Sequence, residues 1–420
     1  MDDFRLKDGE FYAEDVPLSR IAEEVGTPVY VYSRAGFERH ARDFREGLKT
    51  CARVHLAYAI KANPNLAVLR VMANAGYGAD VVSGGELERA LAAGMAAKDV
   101  VFSGVGKTRA ELTQGLDRGI GQFNLEHEAE GVALSDIAAG RGERAPCVLR
   151  VNPDVDAGTH AKISTGKAEN KFGVAIADAP AIYARLARLP GLDLRGVASH
   201  IGSQLLSLAP MEATYRRVGA LLADLRAAGH RISHVDLGGG LGVTYRAGET
   251  PPSDAEYGAM VARVTRDWGV ALMFEPGRRI AGNAGVLLTR VLWVKPSPGN
   301  PWVIVDAAMN DLARPALYDA WHDFEAVSPS GERFVANIAG PVCESGDTFA
   351  KGRKIDRVAD GDLAIFRTAG AYGATMASTY NSRDLVAEVM VDGGRYAVVA
   401  ERIPAARIMA EEHVPEWLTA

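Results

Sequence analysis

Along the chain from about Gly36 to Glu275, short apolar runs alternate with longer stretches whose apolar residues recur at helical spacing. The runs cover residues 54–60, 78–82, 100–102, 122–124, 147–151, 196–199, 234–237 and 271–274. Between them lie segments rich in Ala, Leu, Glu and Arg, such as 66–75, 86–93 and 211–228. Ser83-Gly84-Gly85-Glu86 and Pro210 stand where helix starts belong. Eight strands alternating with helices predict an α/β fold, a (β/α)8 barrel over residues 36–283. On pattern alone an open doubly wound sheet is the alternative.

After about Ala284 the rhythm changes. Residues 286–294, 302–306, 362–366 and 396–400 read as strands, separated by turn clusters such as Ser297-Pro298-Gly299-Asn300. A mainly antiparallel β domain is expected over 284–420. Residues 4–12 are also strand-like, and the N-terminal segment 1–35 is expected to pack and pair with that second domain. No internal repeat interrupts this organisation.

Composition narrows the function without naming it. A chain of 420 residues suits about two domains of roughly 100–200 residues. The net charge of −6 gives no argument for nucleic acid or membrane. A small anionic ligand must then be held by a few local arginines and backbone amides. Cys51, Cys147 and Cys343 are an odd, sparse set without metal-ligand spacing, so no metal is expected and a reducing compartment is. The start MDDFRLKDGEF has no apolar core, and 286–294 is too short to span a bilayer and contains Arg290. A cytoplasmic location is the expectation.

Candidate chemistry falls at strand ends. Lys61, in Tyr58-Ala59-Ile60-Lys61-Ala62-Asn63, follows the first strand. Alone it reads as a lysine snorkelling from a strand end, or as an amine desolvated for Schiff-base chemistry. His200, in Ser199-His200-Ile201-Gly202-Ser203-Gln204, follows the sixth. A flat imidazole there can stack on a planar cofactor ring, and the Ser203 hydroxyl can reach a phosphate. Gly238-Gly239-Gly240 follow the seventh strand, where barrel phosphate sites frequently form and converging N–H groups can cradle an anion. Glu275-Pro276-Gly277-Arg278 follow the eighth. A carboxylate there needs a cationic partner, which a protonated pyridine nitrogen would supply, and Arg278 suits a phosphate or carboxylate. All four groups fall on the one rim where barrel catalysis occurs. In the β domain, Cys343 stands beside Glu344 in a Gly-containing turn, while Arg314, Tyr318 and Tyr372 offer a guanidinium and two phenols.

The motifs YAIKAN, SHIGSQ, DLGGGLG, EPGR, RPALY, CESGD and GAYG, in that order, resemble those of diaminopimelate decarboxylases, in the alanine-racemase-like group of pyridoxal-phosphate enzymes. The resemblance runs from about Phe4 to Leu418. It implies pyridoxal 5'-phosphate as cofactor, carried as a Schiff base on Lys61, with His200 on the ring face and Glu275 at the ring nitrogen. Gly240, Gly277 and Arg278, with Ser203, would hold the phosphate end, and Gly239 and Pro276 would also bind the cofactor. Arg278, Arg314, Tyr318, Glu344 and Tyr372 would contact the substrate, Tyr372 also the cofactor, and Cys343 would be the proton donor. The resemblance further implies a homodimer in which the CESGD turn completes the neighbouring subunit's site. The expected reaction converts meso-diaminopimelate to L-lysine and carbon dioxide, the last step of lysine formation. Decarboxylases of ornithine, arginine, D-lysine or D-ornithine, or carboxynorspermidine are the related alternatives. A non-catalytic cofactor carrier is disfavoured by the extra β domain. The stretch 158–166 is a possible lid.

Overall fold

The computed structural model describes residues 3–156 and 171–418; the candidate lid 158–166 lies outside them. The chain divides into two compact units. One comprises Phe37–Thr244 and Gly248–Ala281, the other Met1–Gly36, Tyr245–Ala247 and Gly282–Ala420.

In the first unit the strands are Val54–Ala59, Gly78–Val81, Val100–Phe102, Gln122–Leu125, Ala145–Asn152, Leu192–Ala198, His234–Asp236 and Ala271–Phe274. Each pairs in parallel with the next, and the eighth returns to the first through Leu272↔Val54 and Phe274↔Leu56. That return closes the barrel and removes the open-sheet alternative. All eight apolar runs fall on these strands. A further short strand, Val174–Ala175, adds beside the fifth and was not anticipated.

Helix starts follow local chemistry. Ser83 Oγ accepts the Glu86 N–H at the head of Gly84–Ala92. Thr108 with Glu111, and Ser253 with Glu256, form capping boxes that satisfy otherwise unpaired N–H groups. Pro210 sits in the first turn of Ala209–Ala227, where its missing N–H costs nothing.

The second unit is built on Gly285–Lys295. One edge of this strand pairs antiparallel with Val29–Ser33. Leu363–Phe366 and, further along the strand, Trp302–Val305 also pair with it antiparallel. Beyond Trp302–Val305 lie Arg333–Ala339 and Thr348–Asp356, and beyond Val29–Ser33 lie Ala387–Asp392 and Arg395–Ala400. The sheet is mainly antiparallel, with two parallel pairings.

The expected pairing of residues 4–12 with that domain needs correction. Phe4–Lys7 pairs with Glu10–Ala13 and not with the large sheet. Asp8 and Gly9, both at positive φ, make a two-residue turn that folds the segment back on itself. With Val16–Pro17 it forms its own three-stranded sheet, whose Phe4, Phe11, Ala13 and Val16 pack into a core with Val29, Val31 and Val389. The N-terminal strand that enters the large sheet is Val29–Ser33, buried along its whole length.

Candidate active site

Because the barrel strands are parallel, their C-terminal ends share one rim, and a cavity of about 420 Å³ opens there. Lys61, in a short turn after the first strand, shares its walls with Ser103, Asn124, Arg150, His200, Asp236, Gly238 and Glu275.

Its electrostatics are unusual. Asp80, on the second strand, is fully buried; one oxygen pairs with Lys61 Nζ, and Oδ1 has no hydrogen-bond partner among the described residues. Asn124 Nδ2 donates to Asp236 Oδ2 at 2.9 Å and to Glu275 Oε1 at 3.3 Å. Ser103 Oγ donates to the same glutamate oxygen at 3.4 Å, and Asp236 Oδ1 accepts the Gly238 N–H at 2.9 Å. Three buried carboxylates therefore crowd one lysine. Burial, with repulsion from Asp236 and Asp80, pushes the Glu275 carboxyl well above the usual range, and burial raises Asp236 as well. Such a cluster favours a proton or a cationic N–H donor among its members.

His200 has the opposite shift. Burial, then the nearby charges of Arg150 and Lys61, lower it to about 3, so the ring is neutral at any working pH. The Gly239 N–H donates to its Nδ1 at 3.2 Å, which places the ring proton on Nε2. The loop that does this needs its glycines. A Cβ at Gly239 would fall 2.2 Å from the Glu275 backbone oxygen, and one at Gly240, where φ is +114°, 2.4 Å from the Gly202 backbone oxygen. Arg278 is buried and its Nε donates to Ser203 Oγ at 3.1 Å. Gly277 packs against Ala59 and Ala62, and the Pro276 oxygen accepts the Ala59 N–H. The barrel residues singled out from sequence thus converge on one rim. Sequence reasoning gave no role to Asp80, Ser103, Asn124, Arg150 or Asp236. The available signal was a polar side chain inside a short apolar strand.

The β unit holds the rest. Arg314 is buried and Tyr318 half-buried, both on Arg314–Tyr318. Tyr372 is half-buried at φ +56°, a backbone region that bulky residues rarely adopt. Cys343 and Glu344 are exposed. Their turn is anchored by Asp347, whose buried carboxylate accepts the N–H groups of Met309 and Val342, each at 2.7 Å. The Cys343 N–H donates to Asn381 Oδ1 at 3.2 Å. The Tyr380 hydroxyl bonds Glu344, which raises the phenol.

Residues 34–282 match the family described as pyridoxal-dependent decarboxylase, pyridoxal binding domain. The chain is 50% identical to a diaminopimelate decarboxylase of Zymomonas mobilis, over 99% of both chains. A crystal structure of diaminopimelate decarboxylase from M. jannaschii in complex with L-lysine superposes with a TM-score of 0.95 at 35% identity, covering 99% of each. A lysine/ornithine decarboxylase from Vibrio vulnificus, complexed with putrescine, shares the fold at 20% identity, with a TM-score of 0.79, 90% of this chain and 97% of that one covered.

Proposed function

The chain belongs to the pyridoxal-dependent decarboxylases and, within them, to the diaminopimelate decarboxylase family, and from that premise we infer that it converts meso-diaminopimelate to L-lysine and carbon dioxide. The observation that carries this reading is the cavity in which Lys61, His200 and the buried carboxyl of Glu275 meet. Its residues fit pyridoxal phosphate. The unsatisfied Asp80 Oδ1 and Ser199 Oγ supply polar atoms for a guest, and the loop glycines let the backbone run close to that of Glu275 and Gly202, where any side chain would clash.

Bound there, pyridoxal phosphate supplies an electron sink for the pair left when carbon dioxide departs. Lys61 is the amine that holds it, with Asp80 fixing that amine's position. His200, held neutral, would pack against the ring without adding charge. Glu275 would keep the ring nitrogen protonated, its carboxyl oriented by Asn124 and Ser103. Gly240, Gly277 and Arg278, with Ser203, would hold the phosphate end, and Gly239 and Pro276 would contact the cofactor beside it.

The substrate's two ammonium and two carboxylate groups call for Arg278, Arg314, Tyr318, Glu344 and Tyr372 as contacts. Cys343 delivers the proton to the carbon that lost carbon dioxide, keeping the new C–H bond at that carbon. The exposure of Cys343 and Glu344 in this chain supports a homodimer in which their turn is covered by the partner subunit's barrel. Among the described residues no helix is long and apolar enough to cross a membrane. A cytoplasmic enzyme closing the lysine route is the reading these observations support. The test is release of carbon dioxide and lysine from meso-diaminopimelate by purified protein with pyridoxal phosphate, with ornithine, arginine and D-lysine as competitors. Faster turnover of any competitor would reject the substrate assignment.

A further inference from the structure

His322 is buried in the β unit between two partners that fix its protons. Its Nδ1 lies 2.8 Å from the backbone oxygen of Arg367, which can only accept. Its Nε2 lies 2.8 Å from Arg314 Nη1, which can only donate. Nδ1 therefore carries the proton and Nε2 offers its lone pair to the guanidinium. This acceptor differs from the carboxylate that usually meets an arginine. A neutral imidazole holds one N–H of Arg314 without adding negative charge that would compete with an incoming carboxylate.

The surroundings fix both groups. The Arg314 guanidinium lies 4.5 Å from the centroid of the Tyr245 ring, and that ring meets His322 edge-on at 5.4 Å. Arg314, Tyr245 and His322 thus brace one another pairwise. The backbone at His322 is tied as well. Trp321 has the guanidinium groups of Arg246 and Arg353 at 4.0 and 3.6 Å from its ring, and Arg353 also donates to the His322 carbonyl. The imidazole cannot turn away without breaking these contacts.

We propose that His322 is a positioning residue for the reaction, aiming Arg314 at a carboxylate of the substrate through a neutral acceptor on Nε2. The proposal rests on the reading of Arg314 as a substrate contact. Its test is steady-state kinetics of the cofactor-loaded enzyme with His322→Leu, His322→Gln, Arg314→Lys and the Arg314→Lys/His322→Leu pair, with thermal unfolding alongside.

Loss of one hydrogen bond to a charged group should raise KM for His322→Leu about tenfold while kcat stays within about twofold. His322→Gln should recover most of that loss, because the O–C–N edge of its amide can offer an acceptor to Arg314 and a donor to the Arg367 carbonyl. Arg314→Lys should raise KM further, and His322→Leu should add nothing to it. An unchanged KM in His322→Leu beside a raised KM in Arg314→Lys would overturn the proposal and leave the Arg314 reading standing. An unchanged KM in Arg314→Lys would remove the Arg314 reading itself, and the proposal with it. If His322→Leu does not fold, 15N-histidine spectra of the wild-type enzyme decide. The resonances absent from His322→Gln must show the proton on Nδ1, and a proton on Nε2 would overturn the assignment.

Discussion

The barrel rim and the Cys343 turn present chemical groups in opposite ways. On the rim the carboxylates of Asp80, Asp236 and Glu275 are buried and share donors, so the surrounding protein sets their charge state. At the turn, Cys343 and Glu344 are exposed, and the fixed parts are mostly backbone, held by Asp347 and Asn381. A buried cluster has its electrostatics built in before any ligand arrives. An exposed thiol acquires its working environment only from what covers it. The rim is therefore suited to holding and tuning a cofactor, and the turn to delivering one proton to a site it does not itself enclose.

The largest test of this contrast is Lys61→Ala, which should abolish decarboxylation. In the unaltered enzyme, borohydride reduction should leave the pyridoxyl label on the peptide containing Lys61; a label mapped to another lysine would break the account of the rim. Next comes Cys343→Ala, expected to lower kcat by about 10²–10⁴-fold, the range of one general acid. If the turn serves the partner's barrel, mixing Lys61→Ala with Cys343→Ala should give each heterodimer one intact site and about half the wild-type activity. Failure to regain activity, with exchange of subunits shown by mass, would confine the turn to its own chain.

Glu275→Gln should lower kcat by about 10²–10³-fold while retaining the cofactor, since an amide keeps the shape but not the charge. It also predicts a pH effect on the cofactor-free protein. With Glu275 and Asp236 raised by burial, the folded state holds a proton that the unfolded chain releases. Their contribution to stability is thus present below the ordinary glutamate value of 4.5 and is lost as pH rises through the raised value. Unfolding temperatures at pH 5 and pH 8 should differ less in Glu275→Gln than in the wild type. The smallest effect belongs to Asp347→Asn, which loses one of two acceptor oxygens. A cost of about 1–3 kcal/mol should appear as a Tm lowered by several degrees. An unchanged Tm would show that the turn is not held by this carboxylate.

Much of this was legible in the sequence. The eight barrel strands stood out because each is a compact apolar run between helices with Ser, Thr or Pro at their heads. Lys61, His200, the glycine loop and Glu275 stood out because they follow such runs. Asp80 and Asn124 were hidden because a single polar residue inside an apolar strand looks like noise until the barrel closes and brings three strands' polar residues together. His322 was hidden for a related reason: its partners, Arg314, Tyr245 and Arg367, are scattered along the sequence and become neighbours only through tertiary packing. The Asp8-Gly9 turn was readable, and it pointed to a hairpin closing on itself where a strand joining the larger sheet was expected.

The position of Val29–Ser33, flanked by Gly285–Lys295 and Ala387–Asp392, has a consequence for the order of synthesis. This strand leaves the ribosome before either neighbour: Gly285–Lys295 follows it by about 250 residues and Ala387–Asp392 by about 350. At roughly 5–20 residues per second, on the order of twenty to seventy seconds pass between emergence of Ser33 and of Ala387. The intervening barrel strands can pair among themselves during that time, while a β-branched and aromatic strand waits with at least one edge open. Nascent chains stalled before residue 387 should therefore be the ones that chaperones hold and that aggregate when chaperones are depleted.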